Sequence, residues 1–195
     1  MNKMILIDNG HGKETPGKCS PDKQLLEWSW TREVAAMVVN DLCAIGYDAR
    51  LLTPEDNDVK LYERVRRVNE ICSQRGAANV LVVSIHVNAA GGDGKWHDAR
   101  GFMPYVSPNA GAGSRTLARM LYERMEAFGL IGNRWVSKDK YAVKSLAICR
   151  DTKCTAVLTE NLFMDNIEDC EYLLSDEGKR TIANAHVLTI CEFVG

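Results

Sequence analysis

The sequence predicts an α/β fold, a single domain built on a twisted, mostly parallel sheet of about six strands with helices on both faces. Three observations carry this reading. Short apolar runs alternate with longer segments of helical periodicity, in the order βαβαβ, then a strand, a helix, two strands and a last helix. Residues 81–89 (LVVSIHVNA) are apolar or β-branched almost throughout before small and polar residues break the run, as in a central strand of a parallel sheet. The chain has 195 residues, 46% hydrophobic and 26% charged, enough for one real core without staples.

Taken in order, residues 3–8 (KMILID) form a first strand, halted by Asn9-Gly10 and followed at once by His11. A loop rich in Gly, Pro, Lys and Ser spans 12–22. Residues 24–45 read as a helix, because Trp30, Val34, Met37, Val38, Leu42 and Ile45 recur at helical spacing and Gly46 supplies the stop. A short strand at 48–53 and a polar loop lead to a helix with Leu61, Val65, Val68 and Cys72 on one face. The strand ending at His86 comes next, then a polar, Gly-rich loop over 91–100. In residues 101–107 (GFMPYVS), Pro104 implies an edge strand or a bulge. A helix over 114–128 carries Leu117, Leu121, Met125 and Phe128 as a stripe. Strands at 142–149 and 155–163 precede a closing helix at 176–193. No repeat, low-complexity tract or linker interrupts the chain.

Several classes of function are disfavoured at once. A formal charge of −2 gives no footprint for nucleic acid or an anionic membrane. No apolar run approaches the roughly 20 residues needed to span a bilayer. The first dozen residues hold only a four-residue apolar run, unlike a secretory signal. Seven cysteines without a CxxC pair argue against a disulfide framework or a cysteine zinc site, and imply synthesis in a reducing compartment. IDNGHG follows a strand but lacks GxGxxG spacing and an acidic residue in the ribose position, so a nucleotide site is rejected.

Four polar residues sit where apolar strands end or helices begin: His11, Glu27, His86 and Glu160. A carboxylate inside the apolar run TAVLTENLF is costly to bury unless it meets a cation or a metal. Two His and one Glu are a catalytic zinc set with a position left for water, and a further Glu beside that water is what hydrolysis needs as general base. HExxH is absent, so the residues alone leave this open against the plain reading of Glu27 as a helix-dipole partner.

ILIDNGHGK, the Glu in LLEWSWTREVA, VVSIHVNA and AVLTENLFMDN, in that order, resemble the successive motifs of the zinc-dependent N-acetylmuramoyl-L-alanine amidases of the sporulation and cell-division type. The resemblance covers nearly the whole chain. It implies that His11, Glu27 and His86 bind Zn²⁺, that Glu160 is catalytic, and that Asn88 is the polar residue following the second His. It further implies a reaction, hydrolysis of the amide between N-acetylmuramic acid and L-alanine of peptidoglycan. Asn9, Lys13 and Thr155 depart from the family pattern, where Pro, Gly and Pro are usual; this bears on loop shape near His11, not on the ligands. Two rivals remain, a zinc peptidase cutting within the stem peptide and a silent peptidoglycan-binding module. The short connection at 108–113 leaves no room for the inhibitory insertion of some division amidases, so activity without an activator is expected. A monomer acting on the cell wall is expected, as a lysis enzyme or a cellular autolysin.

Other residues receive plainer readings. Arg150, at a strand end before Glu160, is a candidate for a substrate carboxylate. His97 reads as a solvated loop residue and His186 as a packed one. Arg64, Arg66 and Arg67 read as a wet helix face. Among the tryptophans, Trp28, Trp30, Trp96 and Trp135 are sugar-stacking candidates or core, and the cysteines are small core residues.

Overall fold

A computed structural model describes residues 3–195. Six strands form one sheet: β1 (Met4–Asn9), β2 (Asp48–Leu51), β3 (Val80–Asn88), β4 (Met103–Val106), β5 (Ala142–Val143) and β6 (Thr155–Phe163). Their order across the sheet is β2-β1-β3-β6-β4-β5, and every neighbouring pair is parallel except β4 with β6. The helices are α1 (Glu27–Ala44), α2 (Leu61–Arg75), α3 (Ala112–Ala127), α4 (Ala147–Arg150), α5 (Ile167–Leu174) and α6 (Asp176–Val194). The expected fold class is the one found.

Strand alternation divides the core in two. Ile5, Ile7, Leu81, Val83, Ile85 and Val157 face a thick layer made by α1, α3, α5 and α6. Met4, Leu6, Val82, Ala156 and Leu158 face a thin layer made by α2 and α4. From β1 the chain crosses to β2 on one side and then to β3 on the other. The crevice at the carboxyl ends of β1 and β3 is therefore the topological switch point, where open α/β sheets bind ligands.

Four expectations need correction. Residues 142–149 are not one strand. Only Ala142–Val143 pair, and a turn then leads into α4 as Cys149 N–H and Arg150 N–H return to the Leu146 carbonyl. A short apolar run cannot be told from a helix by period alone. Helix α5 had no counterpart in the sequence reading; at eight residues its stripe is too short to register, though Asn166 caps it by accepting from Asp169 N–H. Strand β4, with Pro104, is penultimate rather than an edge, and its pairing to β5 begins one residue past the proline, at Tyr105. Finally, α1 starts at Glu27 rather than Gln24, because Leu26 is extended and forms a bridge with Cys19.

Candidate metal centre

The turn after β1 is built so that a histidine can sit where few side chains fit. Gly10 N–H donates to the Ile85 carbonyl at 2.9 Å, tying the turn to β3. A Cβ on Gly10 would lie 2.5 Å from the His86 ring, and one on Gly12 would lie 2.2 Å from the Asp58 backbone. Between them His11 takes φ of +59°, a left-handed conformation uncommon outside glycine. The turn carbonyls are all held. Asn9 O accepts from Arg64 at 2.6 Å and Gly10 O from the Thr31 hydroxyl at 2.9 Å. His11 O accepts from Arg32 at 3.1 Å and Arg64 at 3.2 Å. Strain at one residue is sustained because its surroundings over-determine it.

Opposite this turn, the first residue of α1 points its carboxylate into the crevice. Glu27 is 1% exposed; its Oε1 accepts from Val87 N–H at 3.0 Å and lies 3.2 Å from His86 Nδ1. Its Oε2 lies 3.4 Å from His11 Nε2 and has no hydrogen-bond partner. The two imidazole rings stand edge to face with centroids 5.0 Å apart. One donor atom from each of His11, Glu27 and His86 falls within 4.8 Å of the other two. Two imidazole nitrogens and a carboxylate oxygen, one buried oxygen still unpaired, form a donor set that a divalent metal satisfies.

Glu160 stands beside this set because β3 and β6 are parallel and in register: His86 is paired with Glu160, so both project to the thin face. Its Oε2 is buried and unpaired. Burial pushes Glu160 up to about 7, with the charge of His86 opposing and that of Glu27 adding. For Glu27 burial again acts upward, but the two imidazoles beside it, His11 and the hydrogen-bonded His86, prevail and hold it at about 2. Burial would lower His86, and the bond to Glu27 more than reverses this, leaving it raised. A cavity of about 400 Å³ opens here, bounded by His11, His86, Glu160, Lys18, Lys60 and Leu146. A second cavity of about 410 Å³, beside Arg100 and Glu168, carries no such chemistry: Arg100 pairs with Glu168, and Asp169 accepts from Gly101 and Phe163 N–H.

The sequence reading missed the group beneath the site. Asp8 is 2% exposed on the same face, bonded at 2.6 Å both to Arg64 Nη1 and to the Ser84 hydroxyl. Arg64 is thus a correction to the wet-face reading. It shares the buried stripe of α2 with Val68 and Cys72, while Arg66 is exposed and Arg67 is half-buried against Glu55 and Glu63. The i, i+4, i+8 spacing was the available signal, together with Asp8 closing an apolar strand, where a carboxylate needs a cation.

The remaining candidates lie elsewhere. Asn88, at the end of β3, accepts from Ala89 N–H at 2.9 Å. Arg150 is exposed and turned to Asp151 and Ser145, outside the cavity lining. His97 bonds Asp93 at 2.9 Å in its loop, and His186 is fully buried. Trp30 is core, donating to the Leu173 carbonyl at 2.8 Å, whereas Trp135 is 86% exposed. The cysteines at 72, 149 and 170 are buried, but Cys43 is exposed.

Comparison with known proteins adds to the geometry. A family described as N-acetylmuramoyl-L-alanine amidase matches residues 5–192. The chain is 31% identical over 184 residues to the N-acetylmuramoyl-L-alanine amidase CwlM of Bacillus licheniformis, covering 93% of this chain and 65% of that protein. It is 26% identical over 200 residues to the endolysin of Bacillus phage SPP1, covering 100% of this chain and 67% of that one. The chain thus spans about two thirds of the length of these relatives. Among solved structures, the catalytic domain of the amidase CwlV from Bacillus (Paenibacillus) polymyxa var. colistinus matches with a TM-score of 0.80 at 21% identity, covering 99% of each chain. The CwlD amidase of Clostridioides difficile, solved with the GerS lipoprotein, matches with a TM-score of 0.82 at 21% identity and 98% of each chain. At such identities these structures speak for the fold.

Proposed function

The chain belongs to the N-acetylmuramoyl-L-alanine amidase family, and on that premise we propose that it hydrolyses the amide joining N-acetylmuramic acid to L-alanine in peptidoglycan, as a single catalytic domain using zinc. The observation that carries the proposal is the convergence of His11, Glu27 and His86, with Glu160 in register beside them. These three residues would hold the ion, with Glu27 Oε2 as the oxygen still awaiting a partner. When bound, zinc acts as a Lewis acid on the scissile carbonyl and lowers the pKa of water.

The rest of the chemistry falls to the protein. The Glu160 carboxylate removes a proton from the attacking water and delivers it to the departing amine of L-alanine, which would otherwise leave as an unstable anion. Its place in register beside His86, with one carboxylate oxygen unpaired, sets it where both transfers can be made. Arg64 and Arg32 hold the His11 turn in place, so the donor set does not have to assemble during turnover. Asn88, two residues beyond His86, stays in the proposal as a substrate contact, while Arg150 would first have to leave Asp151. The substrate places the action at the cell wall, and the enzyme would act as a monomer without an activator.

The two rival readings part at the products. An amidase frees the intact stem peptide with an L-alanine amino terminus; a peptidase shortens it; a silent module releases nothing. Glu160→Gln keeps the shape of the side chain but cannot take the water's proton. Release of stem peptide from purified peptidoglycan should fall about 10²–10⁴-fold while zinc content stays near one ion per chain. His11→Ala and His86→Ala should instead lose the ion. A Glu160→Gln protein with near-normal hydrolysis, or one that loses its zinc, would show that Glu160 has another role.

A further inference from the structure

The strand pair that sets His86 beside Glu160 breaks immediately beyond them. One residue separates His86 from Asn88 in β3, while two separate their partners Glu160 and Phe163 in β6. The extra residue makes a bulge, and within it Leu162 takes φ of +62°. At such a break the regular ladder does not fix where the backbone of His86 points. A side chain does. Asn161 Nδ2 donates to the His86 carbonyl at 2.9 Å, and also reaches Thr159 Oγ1 at 3.1 Å and Thr159 O at 3.3 Å. Thr159 Oγ1 lies 3.1 Å from His186 Nε2, and His186 Nδ1 lies 2.8 Å from the Ile182 carbonyl in α6.

The last bond sets the directions of the others, the Ser84 carbonyl at 3.4 Å being a more distant acceptor for the Thr159 hydroxyl than His186. A carbonyl only accepts, so His186 carries its proton on Nδ1. Burial pulls the pKa of His186 down to about 4, so the ring is neutral and Nε2 is an acceptor for the Thr159 hydroxyl. The hydroxyl oxygen then accepts from Asn161, whose amide is left with one orientation. Thr159, Asn161 and His186 are all fully buried. Asn161 Oδ1 is buried without a partner, so the bonds that Nδ2 makes are the ones this side chain is there to supply.

We propose that Asn161, Thr159 and His186 are positioning residues: they fix the main chain of His86 across the bulge, and with it the approach of the His86 ring to Glu27 and Glu160. This rests on the zinc-amidase reading above. Three variants of the full chain test it, each with zinc affinity by chelator competition, kcat and KM for stem-peptide release, and thermal midpoint. Thr159→Val keeps the shape and removes the hydroxyl; Thr159→Ser keeps the hydroxyl; Asn161→Leu removes both the donor and the unpaired oxygen. Zinc affinity and kcat should each fall about 10-fold in Thr159→Val and in Asn161→Leu, with KM within about twofold. Thr159→Ser should restore both, and Asn161→Leu, which removes the unpaired oxygen but also the donor to the His86 carbonyl, should stay within a few degrees of the wild type in thermal midpoint. Variants that shift only the midpoint, leaving zinc affinity and kcat unchanged, would overturn the proposal. Should Thr159→Val fail to fold, Asn161→Leu decides alone. A wild type that binds zinc but releases no peptide sinks the amidase reading, and the zinc competition still judges the positioning residues.

Discussion

The two faces of the sheet use the same strands for opposite purposes. On the thick face, four helices bury Val34, Val38, Leu117, Leu121 and Ile190 completely against β1, β3 and β6. On the thin face α2 and the four-residue α4 cover only part of the sheet, and near the carboxyl ends of the strands the apolar side chains give way to Asp8, Ser84, His86 and Glu160. Adjacent residues of β6 serve the two sides: Thr159 points into the thick layer and Glu160 into the crevice. Incomplete cover on one face leaves the cavity, and full packing on the other supplies the stability that a polar, partly unpaired site does not.

The comparison breaks hardest at Arg64. Replacing it with Met leaves Asp8 buried beside Ser84 without its cation, frees the Asn9 carbonyl and leaves that of His11 to Arg32 alone, so unfolding free energy should drop by about 3–5 kcal/mol. Urea titration measures this, and zinc affinity should fall with it. Leu121→Ala, on the thick face, should cost a comparable or smaller 2–5 kcal/mol through the cavity it leaves. Turnover at 25 °C should nevertheless remain within about twofold of wild type. If turnover falls in step with stability, the faces are not divided as described.

His186, buried in the thick layer, gives a pH test of stability. Its folded pKa of about 4 lies below the ordinary 6.5, so between these values the unfolded chain binds a proton that the folded chain refuses. Stability from this group is therefore present above pH 6.5 and lost as pH falls toward 4, by roughly 3 kcal/mol over the window. The difference in unfolding free energy between wild type and His186→Gln, measured across pH 8 to 4, should show that slope. A pH-independent difference would mean the ring is not held neutral. The smallest effect is expected at Leu162→Gly. Relief of the left-handed backbone gains about 1–2 kcal/mol, against about 2–5 kcal/mol for the loss of a buried leucine, so the thermal midpoint should fall by only a few degrees, less than in Leu121→Ala. A fall of more than about 10 °C would show that Leu162 matters chiefly for packing.

Much of this was legible in the sequence because strand ends announce themselves. His11, His86 and Glu160 each interrupt or close an apolar run, and the mostly parallel sheet follows from those same runs, though the order of its strands does not. What could not be read was anything that depends on contact across the chain. Arg64 looked like one of three surface arginines until Asp8, 56 residues away, gave it a partner. The bulge in β6 has no glycine to mark it, since Leu162 bears the positive φ itself. The strand expected at 142–149 failed for a local reason: a two-residue pairing is too brief to leave a period. The strand end expected at Arg150 is instead the end of α4, and the neighbouring Asp151 captures the side chain.

Gly12 has a consequence for how a polymer reaches the metal donors. Its missing side chain lets the His11 turn lie directly on the backbone of Asp58, and the contact is closed by Lys13 N–H on the Asp56 carbonyl at 2.8 Å and by Asp58 N–H on Glu14 at 3.0 Å. The two loops are one mechanical part. A displacement of either wall of that corner drags His11 with it, so this side of the crevice cannot act as a door without dismantling the donor set. Across the cavity from this corner stand Leu146 and the single turn of α4, which no such contact ties to the His11 turn among the described residues.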